Sequence, residues 1–377
     1  MSELGSESGG LSKLSVAELA QAYVESVQAA EATEHVGRKN RLSGRRWQIV
    51  QELKGRGEAR SVLQRLADHS DEAVRKWASG NLTWLDKPTP QAEPERPRGK
   101  FWPNMIWQSD HPPPPALARD AIAERLRQNV LEFCDRLMEL ARPAIGLWPQ
   151  RRAEVGPTAS RFGGVAMAPR GWRWPVAEQE PLLFVGQINC AELHGLPGAE
   201  QLPASGLLAF FGDHDAVTGC FPFDSHCVFY WPDVGRLVRA KAPIAPLYTF
   251  PICALVPRPL IDLPHPDSTA VGRFGFNKQQ REAYFDVWLD VRNYGIPSDY
   301  ASYASFSKLL GWPALVQSDL EKFESRDDAR LLLQVDAYCN GETSHGWGPG
   351  GSLFYVLTDA DLRAGAFARC ELEGQFT

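Results

Sequence analysis

The sequence predicts an α+β protein in two folded parts, a small helical module followed by a larger mixed domain. Three patterns carry this reading. Apolar residues recur every three or four positions up to residue 85, prolines crowd residues 86–116, and short apolar runs bounded by turn residues dominate beyond residue 160. At 377 residues the chain is long enough for two or three domains, each with its own core.

The helical module is expected over 12–85. Ser15 and Glu18 form a capping box ahead of a helix carrying Leu19, Tyr23 and Val27. A second helix is predicted from Arg38 to Lys54, stopped by Gly55 and Gly57. A third covers Ala59–Ala67, with Val62, Leu63 and Leu66 inward. A fourth covers Glu72–Leu85, using Val74, Trp77, Ala78, Leu82 and Trp84. Residues 86–116 read as a Pro-rich strap, since repeated proline breaks regular structure. Its aromatics and apolar residues Phe101, Trp102, Ile106 and Trp107 are expected either to dock the strap on a flanking domain or to meet a partner.

A single amphipathic helix is predicted from Leu117 to Leu140, within a linking segment 117–142, on the spacing of Ile122, Leu126, Val130, Phe133 and Leu137. Strands are predicted at Leu182–Val185, Leu207–Phe211, Cys227–Trp231, Ala245–Phe250, Leu331–Val335 and Ser352–Leu357. Helices are expected to intervene at Asn277–Val291 and Ala301–Leu310.

Composition and motif spacing exclude several function classes. The net charge is −6, with +1 over residues 1–87 and −7 over the rest. That argues against nucleic-acid binding by a broad basic surface, which needs clustered Lys and Arg. No run approaches the roughly 20 apolar residues of a membrane helix. The acidic, Ser/Gly-rich start is unlike an export signal, so a cytoplasmic protein is expected. Seven irregularly spaced cysteines fit reduced, mostly buried thiols. The densest ligand-type cluster, His214, Cys220, His226 and Cys227 with nearby Asp residues, matches no structural zinc spacing, so no metal and no cofactor are expected. Gly346–Gly351 lacks the Lys and Ser/Thr of a phosphate loop and reads as a turn. Asp286 and Asp290 share a helix face, more simply a solvated face than a catalytic pair. No catalytic residue emerges.

Two resemblances sharpen this picture. Asp71-Glu-Ala-Val-Arg-Lys-Trp-Ala78, after Leu63, Leu66 and His69, resembles a HEAT-type repeat, with Asp71 at a helix N-terminus and Val74 and Ala78 facing the preceding helix. Residues 12–85 are similar to short bacterial HEAT-like helical domains of unknown function. Over 160–377, Arg161-Phe-Gly-Gly164, Trp174-Pro175, Leu182-Leu-Phe-Val-Gly-Gln-Ile-Asn189, Lys308-Leu-Leu-Gly-Trp-Pro313 and Leu331-Leu-Leu-Gln-Val-Asp336 occur in order. This pattern resembles the YwqG-like family of bacterial proteins. The chain departs from it at Pro349, where Asp is usual, and at Ser318, where Gly is usual. The family supplies no reaction. Some members are encoded near secreted polymorphic toxins, so the resemblance implies an immunity or other protein-binding role.

The candidate site residues follow from strand parity. Gln187 with Asn189, and Gln334 with Asp336, are each two apart and project from one strand face. They are expected to satisfy turn backbone or to converge in one polar groove. Trp84, Trp102 and Trp107 are the candidate partner-facing aromatics. The leading expectation is a non-catalytic binding protein with a protein partner, a basic toxin domain encoded nearby being favoured by the acidic main domain. A small-ligand binder or enzyme using the polar groove, and a scaffold protein, are the alternatives.

Overall fold

The computed structural model describes residues 14–32, 46, 49–50, 52–86, 106–107, 109–152, 154–177, 180–212, 225–243, 250, 252–296, 307–317, 320–339, 344–345 and 351–375. The chain divides into two compact units, with the main division between residues 100 and 101.

The first unit is helical. Helix α1 (Val16–Glu31) opens with the expected capping box, in which the Glu18 N–H donates to Ser15 Oγ at 3.3 Å and the Ser15 N–H to Glu18 Oε2 at 2.7 Å. Backbone at 52–55 is helical, and α2 (Ala59–Leu66) and α3 (Glu72–Asp86) follow. Leu19, Tyr23 and Val27 meet Ile49, Val50, Leu53, Val62, Leu63, Val74 and Ala78 in one core. Asp71 accepts the N–H groups of Ala73 and Val74 at 2.9 and 3.3 Å, which satisfies donors that the start of α3 leaves open. Trp77, expected inward, is instead 41% exposed, with the Arg46 guanidinium 4.2 Å from its ring centre. It lies one position from the buried Ala78, where the stripe turns outward.

The second unit is built on a ten-stranded antiparallel sheet with helices packed against it. Its strands are β1 (Arg142–Gln150), β2 (Arg161–Phe162), β3 (Leu183–Asn189), β4 (Leu207–Gly212) and β5 (His226–Trp231). Then come β6 (Cys253–Asp262), β7 (Lys308–Leu310), β8 (Ala329–Asp336), β9 (Ser352–Thr358) and β10 (Glu371–Gln375). Their spatial order is β10-β9-β8-β7-β1-β6-β2-β3-β4-β5. The sheet curls until its two ends meet. His226 Nε2 on β5 lies 2.6 Å from the Cys370 carbonyl just before β10, and Phe210 on β4 packs edge-to-face with Tyr355 on β9 at 5.1 Å. Ile145, Leu147, Phe162, Val185, Leu208, Leu333 and Val335 fill the enclosed side.

The two central strands escaped the sequence pattern. Both β1 and β6 carry prolines, which ordinarily mark a strand as an edge. They pair over nine residues, from Ala254 opposite Gln150 to Asp262 opposite Arg142. The short neighbours explain the tolerance. The Leu147 N–H points outward to Ser307, so Pro143 and Pro149 share that side, yet β7 pairs only with residues 144–146 of β1. The Leu255 N–H likewise points to Ser160, and Pro257 and Pro259 lie beyond β2, which pairs only with Cys253 and Ala254. Among the described residues no ladder donor is lost.

Two helical expectations are corrected. The stretch Leu117–Leu140 is broken into α4 (Arg119–Val130), a 3₁₀ turn at Leu131–Phe133 and α5 (Cys134–Leu140). The break sets Phe133 against Phe276, 4.4 Å away edge-on, with Phe274 beyond. The Ala301–Leu310 helix gives way at Lys308–Leu310 to β7, which fills the gap between β1 and β8. Residues 301–306, the 245–249 part of a predicted strand, and most of the Pro-rich strap lie outside the described residues. Helix α6 (Lys278–Asn293) forms as expected, from an Asn277–Gln280 capping box, and packs Tyr284, Val287 and Trp288 against Ile122, Leu126 and Leu137. Among the described residues no helix is long and apolar enough to cross a membrane.

Candidate functional site

The sheet keeps the two predicted polar pairs apart. Gln187 and Asn189 lie on β3 and Gln334 and Asp336 on β8, with β7, β1, β6 and β2 between them. Each pair serves its own neighbourhood. Gln187 Nε2 donates to the carbonyls of Pro157 and Ala159, both at 2.9 Å. Asn189 Oδ1 accepts the Ala191 N–H at 3.1 Å, and the Asn189 N–H donates to Ser160 Oγ. Gln334, fully buried, accepts the Ala314 N–H at 2.9 Å and donates to Asp336 Oδ1 at 3.1 Å. Asp336 also accepts from Ser352 Oγ at 2.7 Å.

A small cleft, open to solvent, lies next to the β8 pair. Its floor follows from register. Gln334 stands opposite Lys308, Lys308 opposite Gly146, and Gly146 opposite Arg258, a row across β8, β7, β1 and β6. Directly opposed residues share a face. Ile145 and Leu147, flanking Gly146, point into the core, so this row is on the outer face. Helix α6 supplies Trp288 and Arg292 to the walls, and β1 adds Trp148. Lys308 Nζ donates to Asp262 Oδ2 at 2.6 Å, and the Trp312 N–H donates to the same oxygen at 2.7 Å. Asp262 approaches that closely because Gly311, at φ +73°, has no Cβ to collide with its carboxylate. Arg258 donates to the Pro114 carbonyl at 3.0 Å, and burial pulls its guanidinium down to about 10. Burial also pulls Arg292 well down, against the opposing fields of Asp336 and Asp262. Asp336 is thus the one predicted residue whose field reaches this cleft.

Sequence reasoning missed Arg258, Asp262, Arg292 and Lys308. One signal was visible: charges at Arg258 and Asp262 inside the apolar stretch Cys253-Ala-Leu-Val-Pro-Arg-Pro-Leu-Ile-Asp262. Arg292 carries no comparable signal, because its role depends on where α6 crosses the sheet.

Among the described residues, several thiols and one histidine sit in strongly desolvating surroundings. Burial pushes the thiols of Cys190, Cys227 and Cys253 up to about 12, far from a reactive thiolate. Burial pulls His265 down to about 4. Asp290 pairs with Arg125 at 2.5 Å on a solvent-facing surface. His214 and Cys220 lie outside the described residues, as does Trp102, and the side chains of Trp84 and Trp107 are likewise outside them.

Aromatic side chains cluster on the outer face of β4 and β5. Trp172 packs on Trp174, Phe211, Phe229 and Trp231 with ring centres 5.3–5.8 Å apart, and Phe229 stacks on Trp231. The three tryptophans are half-buried, and Val176 nearby in the chain is 59% exposed. Exposed Arg170 and Arg173 flank Trp172, and exposed Arg239 and Lys241 flank Ala240, which packs on the same cluster.

A family model described as a domain of unknown function, DUF1963, matches residues 160–375. That span agrees with the YwqG-like resemblance and begins just before β2. No curated protein matches the chain.

Proposed function

The chain belongs to the DUF1963 family, and on that premise we propose that it is a non-catalytic, cytoplasmic protein-binding protein that neutralises its partner, in the manner of an immunity protein. The observation that supports this reading best is the aromatic platform formed by Phe229 and Trp231 on β5 with Trp172 and Trp174 from the segment before β3. Half-buried tryptophans beside exposed arginines are the residue types that dominate protein interfaces. The buried thiols support binding over thiol catalysis, since a cysteine nucleophile must reach its thiolate form near neutral pH. The HEAT-like reading of the helical unit fits the same role, as such helix pairs present protein-binding faces.

Charge separates two partners. The cations beside the platform, Arg170, Arg173, Arg239 and Lys241, complement an acidic surface. The net −7 beyond residue 87 favours instead a basic toxin domain held by acidic groups elsewhere on the chain. Titration calorimetry with the product of the adjacent gene, at low and high salt, tests the proposal. Binding that weakens with salt is expected. Arg173→Glu should weaken it if the platform docks an acidic surface, and strengthen it if a basic partner is steered by net charge. No heat at micromolar protein would contradict binding to that partner.

A further inference from the structure

We infer that the cleft between β1, β6, β7 and α6 is a binding site for a small organic or inorganic oxyanion, a carboxylate or phosphate group, with Arg258 as its principal contact. The inference is independent of any protein partner and uses other strands of the outer face, β1, β6 and β7, separated from β4 and β5 by β2 and β3.

The charge balance points to an anion. Three cations, Arg258, Arg292 and Lys308, line the cleft. Among the described residues, Asp262 pairs with Lys308, and Asp262 and Asp336 both act on Arg292. Asp262 is held by Lys308 and the Trp312 N–H, and Asp336 by Gln334 and Ser352. Among the described residues no carboxylate pairs with Arg258, whose one hydrogen bond goes to the neutral Pro114 carbonyl. A guanidinium carries five donors in a fixed fork matched to carboxylate and phosphate. Keeping one largely buried with a single neutral acceptor is costly, and an incoming oxyanion relieves that cost.

The surroundings hold the guanidinium in place. A Cβ at Gly146 would lie 2.6 Å from Leu260 Cδ2 and 3.3 Å from Arg258 Nε, so glycine here leaves room for the Arg258 side chain against β1. Trp148 and Trp288 donate their ring N–H groups to the His111 and Leu263 carbonyls, at 3.0 and 3.2 Å. Their rings therefore offer the cleft apolar surface, which lowers the local dielectric and strengthens a charge-assisted contact. The reduced basicity of Arg258 agrees with a charge lacking its counter-ion.

The test uses the full chain with inorganic phosphate and, separately, benzoate as probes, read by titration calorimetry and by the rise in melting temperature with probe concentration. Saturable one-to-one binding of at least one probe is expected. Arg258→Met, which keeps most of the stem, should weaken it by about tenfold or more. Arg258→Lys, which keeps charge without the fork, should fall between. Arg236→Gln, at an exposed arginine paired with Asp233, should change nothing. Phosphate binding alone indicates a phosphate-bearing ligand, and benzoate binding alone a carboxylate. Absence of saturable binding of either probe to the unaltered chain would overturn the inference, as would equal binding by a folded Arg258→Met. Should that variant fail to fold, the unaltered chain and Arg258→Lys still decide.

Discussion

Asp262→Ala is expected to destabilise the sheet unit by about 3–5 kcal/mol. The carboxylate is the shared acceptor for Lys308 Nζ and the Trp312 N–H, and both partners are largely removed from water. Losing it leaves an ammonium and a backbone donor with an acceptor gone, and each then bears its desolvation cost. Lys308 stands in the three-residue strand that joins β1 to β8, so the loss falls where the two halves of the sheet meet. The same reasoning predicts partial recovery. Replacing both members, Asp262→Leu with Lys308→Met, removes the stranded charge and should restore part of the stability. Urea unfolding midpoints at unchanged slope measure both variants. An Asp262→Ala midpoint close to that of the parent would show that the pair carries no such weight.

Lowering the pH from 7 to 5 is expected to cost about 2 kcal/mol through His265 alone, rising to about 3 kcal/mol near pH 4. Burial is the main cause of its depressed value of about 4, against an ordinary 6.5; Arg292, Lys308 and Arg281 reinforce it, while Asp267 opposes. Its Nδ1 accepts the Asp267 N–H at 3.1 Å, and protonation would forfeit that bond. Asp267 Oδ2, 3.9 Å away, would favour the charged ring, but it also holds Arg281 and does not offset burial. The sign follows from proton counting. Between pH 6.5 and 4 the unfolded chain binds a proton at this histidine and the native chain does not. Stability is therefore full above 6.5 and falls as the pH drops toward 4. His265→Asn, whose Oδ1 can replace Nδ1 as acceptor, should flatten the slope over that window. Equal slopes for the two proteins in urea unfolding at pH 7 and pH 5 would contradict the assignment.

The parts of this fold legible in the sequence are those whose apolar pattern is local. Leu19, Tyr23 and Val27 announce α1, and the runs at Leu207–Phe211 and Ser352–Leu357 announce β4 and β9, because each buries side chains at its own period. The strands β1 and β6 were hidden by Pro143, Pro149, Pro257 and Pro259. Their tolerance depends on how far β7 and β2 extend, which no local window contains. Lys308–Leu310 read as the end of a helix because three residues carry too little period to tell. The four polar residues chosen from strand parity are engaged with backbone and near neighbours; Gln334 stands beside Lys308 at the edge of the cleft floor, and Asp336 acts on Arg292 through its field. The cleft itself is made by register, which sets Arg258 beside Gly146 and Lys308 from segments more than a hundred residues apart in places. Spacing along the chain does not encode that meeting.

The claim that this protein binds its partner and does not act on it as a catalyst is tested most directly by stoichiometry. With the proposed toxin partner, activity would be measured after adding increasing amounts of the full chain. The account predicts a linear loss of activity that ends near one equivalent and does not deepen with time. Time-dependent inactivation by a small fraction of an equivalent would contradict it, because only turnover can achieve that.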